Sequence, residues 1–168
     1  MNNRSILNLC AMTALGLTLM PGNTFAQTGK DIVGTWKPIS VTVTGPDGRK
    51  SEPFGPNPNS ILTFDANGRF VLVNTRPDLP KFASNNRMQG TAEENKANVQ
   101  GTIAYFGTYT VNEPNHTVAL HIDSSSYPNI GDTDQKRTVT LAGDTLKLEN
   151  PAPSRRSGPT GQVWERLK

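Results

Sequence analysis

The chain has 168 residues, a formal net charge of +3 and 18% charged residues, which suits one solvated globular domain rather than several. Lys and Arg are scattered, with Arg155-Arg156 the one notable pair near a loop, so no basic stripe of the kind that grips nucleic acid is present. The single cysteine is Cys10, which leaves residues 27–168 without disulfide, thiol-nucleophile or thiolate–metal chemistry.

Residues 1–26 carry the three parts of a secretory signal peptide. Arg4 supplies the positive start, and Ile6 to Met20 is mostly apolar before Pro21-Gly22 breaks it. Thr24-Phe25-Ala26 then places small residues at −3 and −1 of a cut before Gln27. The apolar run is too short and interrupted for a membrane span, and Asn8-Leu9 before Cys10 makes a poor lipobox. The expectation is an exported protein, periplasmic or secreted, with residues 27–168 as one domain and no stable membrane span after cleavage.

From residue 30 onward, turn signals separate short alternating runs. Gly45-Pro46-Asp47-Gly48, Asp65-Ala66-Asn67-Gly68, Glu113-Pro114-Asn115-His116 and Ala142-Gly143-Asp144 all have hairpin chemistry, because Gly and Asn accept positive φ and Pro presets the first corner. The runs between them predict strands near 32–44, 60–65, 69–75, 102–112, 117–125, 135–141, 144–149 and 162–168. Tight turns make consecutive strands antiparallel neighbours. About eight of them in a meander predict an all-β, up-and-down antiparallel barrel, since closure removes exposed edges.

One helix is predicted, at 92–100. Thr91-Ala92-Glu93-Glu94 is a capping box, in which the Thr hydroxyl accepts from a backbone N–H and the Glu reaches back. Gly101 is the expected stop. Only Ala92, Ala97 and Val99 are apolar, so the helix should pack loosely across one barrel end. Residues 53–59 and 150–161 read as long irregular segments.

Period-two alternation assigns faces. Val118, Leu120 and Ile122 share one face, with His121 and Asp123 on the other. Ile103, Tyr105, Tyr109 and Val111 share a face, and Phe106 lies opposite with Ala104, Thr108 and Thr110. Apolar groups on both sides leave open which side lines the interior.

The stretch 76–111 opens with Arg76-Pro77-Asp78 and ends in Ala104-Tyr105-Phe106-Gly107-Thr108-Tyr109. With Pro53-Phe54-Gly55-Pro56-Asn57-Pro58, Lys81-Phe82-Ala83-Ser84 and Thr133-Asp134-Gln135, it resembles the bacterial lipocalin-like domain family across most of residues 30–168. Gly34-Thr35-Trp36 matches the Gly-x-Trp of lipocalins. The resemblance implies that Trp36 closes the barrel floor and that a late Arg, for which Arg166 is the candidate, packs over its ring. It carries no general catalytic assignment. Ile130 and the polar helix depart from the family pattern and bear on the shape of the barrel mouth.

The candidate chemistry is sparse. His121 and Asp123 could form a base and its orienter, or a surface pair on the solvent side of their strand. His116 and His121 have opposite parity, which argues against a metal pair. Asp132 and Asp134 lack the later Gly and Glu of a calcium loop, and Ser124-Ser125-Ser126 lacks nucleophile-elbow glycines. Arg76 and Arg87 could form a polar lip that orients a ligand, or an internal clasp with Asp78. Tyr105, Tyr109, Tyr127 and Phe106 are the aromatic candidates for lining a cavity.

The sequence therefore points to an exported lipocalin-like barrel that binds a small apolar or amphipathic molecule, with no cofactor and no metal. The alternative is an enzyme of the same fold, of isomerase or cyclase type, using a cavity acid/base pair.

Overall fold

Alternating segments this short bury one face only by pairing on both edges, and the chain does so by closing its sheet. The structure, a computed structural model, describes residues 29–150 and 158–168. The expected signal peptide, the cut before Gln27 and Arg155-Arg156 lie outside the described residues. Nine strands occur among them: β1 (Gly34–Thr44), β2 (Lys50–Ser51), β3 (Asn59–Phe64), β4 (Arg69–Thr75), β5 (Thr102–Asn112), β6 (Thr117–Ser125), β7 (Thr133–Ala142), β8 (Thr145–Asn150) and β9 (Thr160–Arg166). Every pairing is antiparallel, and β1 returns to pair with β9. The result is a closed eight-stranded up-and-down barrel, with the two-residue β2 appended to the end of β1.

The two ends of the barrel differ. Tight turns at 65–68, 113–116 and 142–144 cluster at one end, where Gly68, His116 and Gly143 supply positive φ. The Asp65 carboxylate also accepts from the amides of Asn67 and Arg69, both at 2.8 Å. The longer connections, β2 to β3 and β4 to β5, lie at the other end. That end is further opened by β1, which pairs with β3 only over Gly34–Trp36, so the strands diverge beyond that point and the 52–58 segment follows.

The closed end is plugged by Trp36, Trp164, Ile32, Phe64 and Phe70, all buried. Trp36 donates from its indole to the Ile32 carbonyl at 3.0 Å. The Tyr109 ring packs edge-on against Phe64 with centroids 4.8 Å apart.

Two bulges re-aim the wall. In β1 the register shifts between Pro38 and Ser40, which leaves Ile39 exposed. Between β5 and β6 it shifts at Gly107, so that Asp123 is the extra residue. Gly107 is required there, because a Cβ would sit 1.8 Å from the His121 carbonyl oxygen.

The helix α1 (Ala92–Gly101) carries the expected capping box, with Thr91 Oγ1 accepting from the Glu94 amide at 3.2 Å and Glu94 accepting from the Thr91 amide at 2.8 Å. Gly101 does not act as a left-handed stop. It is the last helical residue and runs straight into β5. A Cβ there would meet Leu79 at 2.6 Å and Arg76 at 3.1 Å, so the glycine allows the loop before the helix to pack against its end. The short strand β2 and a 3-10 turn at Pro128–Ile130 have no clear alternation and were not anticipated.

Candidate ligand-binding site

Each strand's inward row can be followed from the plug to the open end. On β3 it runs Phe64, Leu62, Ser60, and on β4 Phe70, Leu72, Asn74. On β7 it runs Leu141, Val139, Arg137, Gln135, on β8 Leu146, Leu148, Asn150, and on β9 Trp164, Gln162. In every case aliphatic or aromatic side chains give way to an amide, hydroxyl or guanidinium. The rows on β1 and β5 stay apolar to the mouth, with Val41 and Val43 and with Tyr105 and Ile103, while the β6 row runs Leu120, Ile122 and then, past the bulge, Ser125. The lumen is therefore apolar at the floor and mixed polar and apolar at the mouth.

A cavity of about 280 Å³ lies at this level. Asn74, Gln135, Arg137, Asn150 and Gln162 form its polar side, and Val41, Val43, Ile103 and Tyr105 its apolar side. Phe54, Tyr127 and Ile130 stand at the entrance. A neighbouring hollow of about 320 Å³ shares Phe54, Ile103 and Tyr127 and extends to Asn98, Val99 and Gln100 at the end of α1. A hollow of about 400 Å³ beside His121 and Lys136 lies against the outer wall and is not part of the lumen.

The polar side is incompletely satisfied from within. Arg137 is 7% exposed. Its guanidinium donates to the Lys136 carbonyl at 3.3 Å and to the Gln135 side-chain oxygen. Gln162 accepts from the Trp164 indole at 3.3 Å. The Asn74 carbonyl oxygen and the Ser60 hydroxyl, on residues opposite each other in the β3–β4 register, are buried and have no hydrogen-bond partner.

The residues singled out from the sequence are distributed unevenly over this geometry. Tyr105 lines the cavity and Tyr127 its entrance. Tyr109 does not line it, although it shares a face with Tyr105. Four residues of strand separate the two rings by about 13 Å, which puts Tyr109 in the closed-end plug. There its hydroxyl donates to the Asp65 carbonyl at 2.7 Å, and burial, with the Asp65 charge, pushes its pKa up. Phe106 points outward and is 44% exposed, which settles the parity question on β5: the Tyr face is the inner one.

Arg76 is held by Asp78 through two hydrogen bonds of 2.9 and 2.6 Å. This pairing lowers the Asp78 pKa and raises that of Arg76, and the guanidinium is used as a loop clasp rather than a ligand lip. Arg87 is exposed and does not line the cavity. The loop is also tied to α1, because the second oxygen of Glu94 accepts from the Ala83 amide at 2.8 Å.

His121 and Asp123 share the outer face and lie 3.9 Å apart. The closer partner of His121 is Asp134, at 2.9 Å, while Asp123 pairs with Arg69 at 2.9 Å. The Asp134 hydrogen bond raises the His121 pKa, with the Asp123 and Asp132 charges adding to it. Among the described residues, no group of three or more His, Cys, Asp or Glu is placed to hold a metal ion.

Gln135, Arg137, Asn150, Gln162 and Asn74 were missed from the sequence. Their signal was present: each lies beyond the apolar residues on the inward row of its strand, toward the mouth. No short motif flags it.

A family profile described as a lipocalin-like domain matches residues 33–166. A 4'-hydroxy-3'-methoxypropiophenone carrier protein of Aspergillus oryzae is 34% identical over 84 residues, 46% of this chain and 76% of that protein. Among solved structures, a lipocalin-like protein from Bacteroides uniformis is similar with a TM-score of 0.46 and 14% identity over 82% of this chain and 99% of its own. An uncharacterized protein from Bacteroides eggerthii is similar with a TM-score of 0.45 and 16% identity over 82% of this chain and 100% of its own.

Proposed function

We propose that this chain, which belongs to the lipocalin-like domain family, is a carrier that holds a small amphipathic molecule at the open end of its barrel. The observation that carries this reading is the change from apolar to polar along five inward rows, ending in a cavity of about 280 Å³. Concave sites with mostly apolar walls and a few convergent polar groups are where small molecules bind. The similarity to a protein named as an aryl-ketone carrier supports the same reading. The isomerase or cyclase alternative has no such support. The cavity's described lining contains no carboxylate or imidazole, and His121 and Asp123 face outward.

Export is part of the proposal. It is supported by the tripartite pattern of residues 1–26, and an N-terminus at Gln27 on protein from the periplasm or medium is the expected result. Among the described residues no helix is long and apolar enough to cross a membrane.

Native mass spectrometry of the purified protein tests the carrier reading. A co-purified small molecule, lost when Val41→Trp fills the cavity without unfolding the barrel, is expected. Retention of the same molecule by a folded Val41→Trp protein would place binding elsewhere.

A further inference from the structure

We propose that the ligand carries an acidic oxygen, a carboxylate or an ionised phenol, on a flat apolar body, and that Arg137 receives it. The inference rests on the reading of the barrel mouth as a binding site. A buried guanidinium without a counter-charge is unfavourable unless its donors are used. Arg137 is 7% exposed, and among the described residues its acceptors are two neutral oxygens on its own strand, from Lys136 and Gln135. None of the ion pairs among the described residues includes it.

Arg166 shows the contrast. It spends its two terminal nitrogens on the Val33 and Asp31 carbonyls at 2.7 and 2.6 Å and lies over Trp36. The fold uses Arg166 as structure, whereas Arg137 lines the cavity and commits only two of its N–H donors, both within its own strand. A guanidinium has five N–H donors in a planar fork that matches a two-oxygen anion.

The surroundings agree with an anion. Among the described residues that line the cavity, none is a carboxylate that would repel one. The Trp164 indole occupies the Gln162 carbonyl, which leaves the amide N–H groups of Gln162 as further donors. Asn74 lines the same cavity, and its carbonyl oxygen is buried without a partner. Tyr105 and Ile103 on β5 and Val41 on β1 add apolar wall to the same cavity. The cavity volume of about 280 Å³ suits a single ring with short substituents.

The test is titration of the full-length folded protein by calorimetry at about pH 8 with 4-ethylbenzoate, 4-nitrophenol, which is ionised there, and the neutral 4-ethylbenzamide. At least one anion should bind about 10- to 100-fold more tightly than the amide, the range for hydrogen bonds to a charged group. Preference for the benzoate assigns the acidic oxygen to a carboxylate, and preference for the nitrophenolate to a phenol. Arg137→Gln should abolish the anion-to-amide preference, while Arg137→Lys should retain part of it. The anion-to-amide ratio of the unsubstituted protein is read without any variant, so a folding defect in Arg137→Gln would not protect the proposal. Amide binding as tight as that of both anions would overturn the proposal and leave the carrier reading standing. Absence of binding by all three at millimolar concentration would overturn both.

Discussion

The Arg166 guanidinium lies 4.1 Å from the centre of the Trp36 ring, and the two residues face each other in the β1–β9 register that closes the barrel. The same guanidinium donates to the Val33 and Asp31 carbonyls just before β1. One side chain therefore stacks on the floor tryptophan and ties the start of the first strand to the last.

Trp36→Ala should destabilise the fold by about 3–5 kcal/mol, the range for a buried aromatic, read as a lower midpoint in urea. Gly34→Ala should also destabilise it. Its φ is +142° and its Cβ would lie 2.6 Å from the Arg166 guanidinium, which cannot move aside without breaking its two carbonyl bonds. A midpoint equal to that of the unsubstituted protein would show that the clasp does not hold the floor.

Gly107→Ala is expected to be the more damaging glycine substitution. Its Cβ would meet the His121 carbonyl at 1.8 Å, and backbone rather than a side chain would have to move. A loss of at least about 3 kcal/mol is expected, the upper part of the range for overpacking, with loss of the β5–β6 amide protection in hydrogen exchange.

The two tyrosines should separate by phenotype. Tyr109→Phe removes the hydrogen bond to Asp65 and should cost about 1 kcal/mol of stability with no change in ligand affinity. Tyr105→Ala should change affinity for a cavity ligand. Calorimetric binding beside urea unfolding distinguishes them, and equal effects of both on affinity would contradict the assignment of Tyr109 to the plug.

His121 should make stability depend on pH. Its pKa is raised in the folded state by Asp134, then by Asp123 and Asp132, so the folded protein holds this proton more tightly than the unfolded chain. The contribution is fully present below the unfolded value of about 6.5 and is lost as pH rises through the higher folded value. The urea midpoint should fall over that interval, and the part due to this site should be absent in His121→Gln. Exposure of the cluster and the Arg69 ion pair on Asp123 will keep the effect small.

Glu94→Ala should loosen the loop before α1 without unfolding the barrel. Glu94 holds the Thr91 and Ala83 amides with its two oxygens, and these bonds lower its pKa. Faster hydrogen exchange at those two amides, with β-strand protection unchanged, is the expected readout.

The sequence by itself determined the eight barrel strands, their antiparallel order and the capped helix. These follow from local chemistry: alternation with period two, Gly and Asn at turns, and Thr91 three residues ahead of Glu94. Gly34, Trp36 and Arg166 were legible through the resemblance to lipocalins, as a Gly-x-Trp on the first strand and an Arg on the last. Only the tertiary structure decided depth. Parity says that Tyr105 and Tyr109 share a face, but not that one lies at the mouth and the other in the plug. Nor does it say that Arg137, Gln162, Asn150 and Asn74 fall at one level, because that level is set by inter-strand register and by bulges at Ile39 and Asp123. Register depends on pairings between residues far apart in the chain, such as β1 with β9. The binding groups are therefore a property of the closed sheet, and no single segment contains them.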